Sequence, residues 1–257
     1  MNLLQCILTN NDCYKAKETI KPKGVMVHST GANNSTLKRY VQPLQTDGNY
    51  SSLVGVLGTN RNGNSWNRSG VGACVHAFIG KLANGSIATA QTLPWNHRGW
   101  HAGQGRKGSA NDTHISFEIC EDGLSDKTYF NKVYQEAVEL TAMLCKQFNL
   151  DPLADGVVIC HSEGYKRGIA SNHADVMHWF PKHGKSMDTF RADVKAKMGT
   201  GTTAKSFRVK VNAKTPFYKE AGIIGSAGIY TITEEKNGMG KLKSGAGWIN
   251  LSEAKKL

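Results

Sequence analysis

No apolar run in the chain approaches the roughly 20 residues that a membrane-spanning helix needs. The first residues, MNLLQCILTNND, have no basic n-region, and Gln5 and Cys6 break their apolar stretch. No secretory signal peptide is expected, so the chain is read as made in the cytoplasm; if it works beyond the membrane, something else must release it. Acidic residues are scarce beside basic ones: 20 Asp and Glu face 32 Lys and Arg, a formal charge of +12. From residue 200 onward, ten basic residues stand against four acidic, so less than a quarter of the chain holds half of the excess. Such a surface suits an anionic partner, whether nucleic acid, membrane or an acidic wall polymer. No nucleic-acid recognition motif accompanies it and the excess is spread over both parts of the chain, so neither nucleic acid nor membrane is the expected partner.

Cysteine occurs six times in 257 residues, too sparsely for a small secreted scaffold. Cytosolic synthesis favours reduced thiols. Cys74, Cys120 and Cys160 sit in apolar runs, where Cys behaves as a small hydrophobe. Free, mostly buried thiols are expected.

What is present alternates between strand and helix signals. GVMVHS (24–29), ACVHAFIG (73–80), SIATAQT (86–92), HISFEIC (114–120) and GVVIC (156–160) read as strands. Asn84-Gly85 marks a hairpin turn between the second and third. Phe130, Val133, Tyr134, Ala137, Leu140, Thr141, Leu144 and Phe148 form an apolar stripe at helical spacing. A second helix begins at Ser186, a good N-cap. Strands interleaved with helices predict an α/β domain over residues 1–198, a mixed β-sheet with flanking helices. The stretches 42–72 and 93–112 are rich in Gly, Asn and Trp with little periodicity; loops of that length are candidate groove walls. GTGTTAKS (199–206) reads as a linker. Beyond it, residues 207–257 hold five short strand signals, with Asn237-Gly238 as a hairpin turn, and predict a small all-β barrel.

The stretch ICHSEGYKRGIASNHADVMHWF, 159–180, holds three of the nine histidines, His161, His173 and His178, with Asp175 among them. Alternation turns Cys160 and His161 to opposite faces, and His28 likewise ends an apolar strand. If those strands are neighbours, the two imidazoles converge. With Asp175 they make a donor set of two neutral nitrogens and one carboxylate, which suits zinc with an open position better than magnesium. Amide cleavage also needs a general base and a donor to the oxyanion. Glu118, on the polar face of its strand, is either that base or a solvent-facing carboxylate. His173, beside Asp175, is either the donor or an exposed loop histidine.

The set MVHST, VHAFIG, GWHAG, HISFEI and ICHSEGYKRGIASNHADVMHWF resembles the zinc-dependent N-acetylmuramoyl-L-alanine amidases related to peptidoglycan-recognition proteins and phage endolysins. The resemblance runs from about Gly24 to Phe180 in order. It implies zinc held by His28, His161 and Asp175, Glu118 as base, and His173 where the family often has lysine. His76 and His101 fall on groove positions, with simple packing as the other reading of each; Trp66 and Asn172 are assigned to substrate binding with them. The segment from His161 to Asp175 is longer than the family's usual one, so His173 and His178 stand as alternative third ligands. His178 otherwise belongs beside Trp179. The tail, clearest in KLKSGAGWINL, resembles a bacterial SH3-like wall-binding domain offering Phe217, Tyr218 and Trp248, the last also readable as barrel core.

The resemblance implies a peptidoglycan hydrolase acting outside the cytoplasmic membrane, on a Gram-positive wall, as a phage endolysin or prophage-derived autolysin. A non-catalytic peptidoglycan binder and a zinc peptidase cutting within the stem peptide are the alternatives. A histidine at position 173 replaces a fixed charge by one that changes near neutrality. His173→Lys is therefore expected to move or abolish one step in the pH profile of wall hydrolysis; an unchanged profile removes His173 from the reaction.

Overall fold

The computed structural model describes residues 1–200, 207–211, 216–217, 222–223, 227–236, 239–243 and 247–256. They form two compact units, Met1–Met198 and Gly199–Leu257.

The first unit is built on a six-stranded sheet of β1 (Leu3–Gln5), β2 (Gly24–Ser29), β3 (Ala77–Lys81), β4 (Ile87–Gln91), β5 (His114–Ile119) and β6 (Val158–Cys160), in the order β1-β4-β3-β5-β2-β6. Neighbours run parallel except in the β3–β4 hairpin, so the sheet is mixed as expected. Its helices are α1 (Asp12–Ala16), α2 (Tyr50–Leu57), α3 (Lys127–Phe148), α4 (His161–Arg167) and α5 (Met187–Thr200).

Helix α3 starts where Asp126 accepts the N–H groups of Thr128 and Tyr129, and ends at Asn149 in the left-handed conformation. Its apolar stripe packs on one face of the sheet against Val25, Val27, Ala77, Ile79, Ile115, Phe117 and Val158. Each such fully buried side chain contributes roughly 1.5–3 kcal/mol. The pleat sends the alternate residues to the opposite face. Phe78 there packs with Leu37, Tyr40 and Leu57, and Met26 with Ile159 and Ala170. With both faces covered, β2 and β6 are buried along their whole lengths.

Three short helices, α1, α2 and α4, escape the sequence pattern. Helix α2 lies within 42–72 and buries only Leu57, so it has no stripe to read. Helix α4 replaces the loop expected after β6. Its signals are local: Glu163 accepts the Cys160 N–H in a capping box, and Gly168 closes the helix at positive φ. At the other end, Ser186 and Thr189 cap α5 reciprocally. This helix runs on to Thr200, into the stretch expected as a linker, because one Gly costs a helix only about 1 kcal/mol. Residues 201–206 of that stretch lie outside the described residues.

The second unit is all-β. It comprises β7 (Phe207–Val211), β8 (Pro216–Phe217), β9 (Gly222–Ile223), β10 (Gly228–Lys236), β11 (Met239–Leu242), β12 (Trp248–Asn250) and β13 (Ala254–Lys256). Five of them make an antiparallel sheet in the order β12-β11-β10-β7-β13, and β8 pairs with β9. Val209, Val211, Ile232, Leu242 and Ile249 form its core. Trp248 is half-buried, with the Lys241 ammonium 5.8 Å over its ring. Asn237-Gly238, Tyr218 and the Phe217 side chain lie outside the described residues.

Phe117 is fully buried at the centre of the α3 face. Phe117→Ala is expected to lower stability by about 3–5 kcal/mol in urea denaturation. Ile229→Ala, at a side chain 57% exposed in the second unit, should cost under about 0.5 kcal/mol.

Candidate metal and catalytic site

Three parallel neighbours, β5, β2 and β6, aim one residue each toward the same end of the sheet, on the face away from α3. His28 lies in register with Glu118 of β5, and His161 follows the last residue of β6. His28 and His161 are 1% and 4% exposed. Asp175 comes from the segment after α4. Val176, Trp179 and Phe180, all buried in the α3 core, fasten that segment. The Asp175 carbonyl also accepts the Ser162 N–H at 3.4 Å.

The three donor atoms converge. His28 Nδ1 stands 3.1 Å from His161 Nδ1 and 3.0 Å from Asp175 Oδ2; His161 Nδ1 is 3.7 Å from Asp175 Oδ1. Ligands about 2.0–2.1 Å from a tetrahedral ion lie about 3.4 Å apart, so this spacing fits a metal. Among the described residues these three are the cluster that could hold an ion. His173 and His178, the alternative third ligands, are not in it.

The far side of each imidazole is held. His101 Nε2 is 3.3 Å from the His114 carbonyl and donates to it, which leaves His101 Nδ1 to accept the Nε2–H of His28 at 3.1 Å. His161 Nε2 lies 3.3 Å from Ser171 Oγ, whose own proton goes to the Ala102 carbonyl at 3.2 Å. Both rings are thereby fixed with Nε2 protonated and the Nδ1 lone pair facing the cluster. Asn111 Oδ1 accepts the backbone N–H groups of His101 and Ala102 and sets that loop. Glu163 does the same for the start of α4, pairing with the Arg191 guanidinium.

Electrostatics follow from burial. Burial, then the neighbouring His28 charge, lowers His161 to about 4, and burial holds His101 well below the ordinary imidazole value. His161 is thus neutral at pH 7, as metal ligation requires, and His101 stays neutral behind His28. Burial pushes the Asp175 carboxyl up, but the two facing imidazoles, His28 first, outweigh it and hold the carboxyl below its ordinary value. Glu118 is the opposite case. Burial raises its carboxyl well above the usual range, the charges of Asp175 and Glu121 add to this, and its buried Oε2 has no hydrogen-bond partner.

These groups line an open cleft of about 520 Å³, with Thr30, Trp100, His101, Ser171, His173 and His178 around them. His173 is exposed, its ring 4.5 Å from that of His161 and its Nδ1 3.1 Å from Ser171 Oγ. His178 turns instead to the buried Glu121 carboxylate at 2.8 Å.

Three expected groove residues lie elsewhere. His76 is fully buried, bonded to Ser116 and to the His97 carbonyl; it shares the cluster's face of the sheet but lies behind His101, the ring centroids 6.4 Å apart. Trp66 packs edge-on against Tyr40 and Phe78 in the core of that face. Asn172 is exposed but outside the cleft lining. Of the two long stretches, 93–112 does supply a wall, through Trp100, His101 and Gly103; 42–72 does not. Sequence reading missed Ser171, Asn111 and Trp100. GWHAG flags Trp100, but nothing local marks the other two, whose partners are distant in the chain.

A family profile described as N-acetylmuramoyl-L-alanine amidase matches residues 18–180, well over half of the chain. The chain belongs to this amidase family. The matched span contains every residue of the cluster and Glu118. Among solved structures, the chain is similar to the Staphylococcus aureus hydrolase AmiA in complex with its ligand, with a TM-score of 0.52 at 20% identity over 79% of this chain and 87% of that one. The catalytic domain of XlyA gives 0.48 at 20% identity, and a mutant endolysin from Bacillus subtilis 0.47 at 22%, each over 76% of this chain and 99% of the other. The AmiA likeness is one of fold. No curated protein sequence matches.

His101→Phe keeps an aromatic ring but removes the acceptor for His28. It is expected to weaken zinc binding about 10–100-fold in a chelator competition titration, with the circular dichroism spectrum unchanged. Asn172→Ala should leave zinc affinity as it is.

Proposed function

We propose that the protein is a zinc-dependent peptidoglycan hydrolase that cleaves the amide between the lactyl group of N-acetylmuramic acid and the L-alanine of the stem peptide. The observation that carries this is the convergence of His28 Nδ1, His161 Nδ1 and the Asp175 carboxylate beside the unpartnered Glu118 carboxyl, at one end of an open cleft. Membership of the amidase family supports the bond chosen.

His28, His161 and Asp175 would hold the zinc, which when bound supplies Lewis acidity to the scissile carbonyl and to water. Glu118 takes a proton from the attacking water as the C–O bond forms. It returns that proton to the alanine nitrogen as the C–N bond breaks, leaving a lactyl carboxylate and a free amine. Its raised pKa suits both proton transfers, since a carboxyl that titrates closer to neutrality is a better base and a usable acid. His173, at the rim, donates an N–H to the oxygen on which charge develops. Trp100, 43% exposed with the Arg98 guanidinium 5.5 Å from its ring, offers a flat wall for a sugar face.

The second unit is proposed as an SH3-like module that holds the enzyme on the wall. Its five-stranded antiparallel sheet over a small apolar core supports the reading, as does the basic excess of that part of the chain. The substrate places the enzyme's action outside the cytoplasmic membrane, in an endolysin or autolysin setting.

Digestion of purified Gram-positive walls tests the reading. New N-terminal alanine without new reducing ends is expected, lost on chelation and restored by zinc. Glu118→Gln should lower the rate about 10²–10⁴-fold and leave wall binding intact. A different new N-terminus would make the enzyme a peptidase; binding with no release would make it a wall-binding protein without catalysis.

A further inference from the structure

Two of the six cysteines are neighbours in space although 61 positions apart in the chain. Cys13 sits on α1, half-buried; Cys74 lies on the far side of the contact, fully buried just before β3. The two side chains meet, and their contact shifts both thiols in opposite directions. The backbone on either side is already laced together. Asn11 Nδ2 donates to the Ala73 carbonyl at 3.0 Å, the Asp12 N–H to the Val71 carbonyl at 3.4 Å, and the Gly70 N–H to Asp12 Oδ1 at 3.1 Å. Cys13 Sγ itself lies 3.1 Å from the Gly72 carbonyl. The pair therefore has little freedom to separate.

Cys74 is also part of the cleft's support. It exchanges both backbone hydrogen bonds with Trp100, at 3.0 Å each, and Trp100 and Ala73 line the cleft. We propose that Cys13 and Cys74 form a reversible disulfide that staples α1 to this wall of the cleft. A bond here closes a long loop, and long loops gain most from closure. The other four cysteines, Cys6, Cys120, Cys145 and Cys160, are buried. Burial pushes Cys6 and Cys145 up to about 12, with Asp47 and Asp151 adding to it, so neither offers a thiolate.

The chemistry has a defined order. The contact with Cys74 outweighs the burial that opposes it, and Trp100 and Arg98 help; together they hold the Cys13 thiol below its ordinary value. The same contact, with burial, holds Cys74 well above. Cys13, the more exposed, is thus the first nucleophile. As thiolate it attacks a low-molecular-weight disulfide, forming a mixed disulfide and releasing one small thiolate. Cys74 then loses its proton to solvent and attacks the Cys13 sulfur, releasing the second. Two protein thiols are oxidised by two electrons, and one small disulfide is reduced to two thiols. A chain made under reducing conditions would acquire the bridge on reaching an oxidising one.

The native full-length protein is incubated with oxidised glutathione, alkylated and mapped by mass spectrometry. The expected result is loss of two titratable thiols and a Cys13–Cys74 linked peptide, both reversed by reductant. The melting temperature should rise by roughly 5–15 °C on oxidation. Cys13→Ser and Cys74→Ser should each abolish the linked peptide and the rise, while melting near the reduced parent. All six thiols remaining, a stable glutathione adduct on Cys13 without a linked peptide, or a bridge to any other cysteine would overturn the proposal.

Discussion

In β5, β2 and β6 the same pleat that sends Phe117, Val27 and Cys160 into the core under α3 sends Glu118, His28 and His161 the other way. The candidate site is thus the polar complement of the hydrophobic core. A register slip of one residue in β2 would put His28 among the α3 side chains and Val27 in the cleft. Burial of β2 on both faces makes such a slip costly, so the packing of the sheet also sets where the candidate metal ligands stand. The third donor is fastened by the same core, since Val176, Trp179 and Phe180 anchor the chain right after Asp175.

Low dielectric surroundings then divide two carboxyls into opposite roles. Asp175 meets two imidazoles and stays ionised; Glu118 meets no donor and is pushed toward its neutral form by burial, Asp175 and Glu121. Neither state is written in the residue type. Glu121 contributes at a distance while its own charge is engaged by His178. The outer ring of His101, Ser171, Asn111 and the His114 carbonyl orients the inner donors before any ion arrives, which limits the reorganisation that binding requires. Cys74 extends that support to the cleft's wall through its two backbone hydrogen bonds with Trp100.

Much of this was legible in the chain. Period-2 alternation located the principal strands and turned His28, Glu118 and His161 to one side; a period of 3.6 located α3; Asn84-Gly85 closed the β3–β4 hairpin. The donor chemistry of His28, His161 and Asp175 followed from residue type, with the two histidines at strand ends. Helices α2 and α4 were not legible, because segments of eight and seven residues that bury one or two side chains carry no stripe. His76 and Trp66 pack in the interior instead of lining the groove, because which polar or aromatic side chain is covered by others depends on segments distant in the chain.

Local spacing, composition and periodicity by themselves determined the α/β class, the all-β tail, the main elements and the residue types able to hold a metal. Those features depend on interactions within a few residues. Only the tertiary structure decided that β2 lies between β5 and β6, that Asp175 rather than His173 or His178 completes the cluster, and that Cys13 meets Cys74. Each of these joins segments tens of residues apart, and which segments meet is settled by how all the apolar faces of the chain can be buried at once.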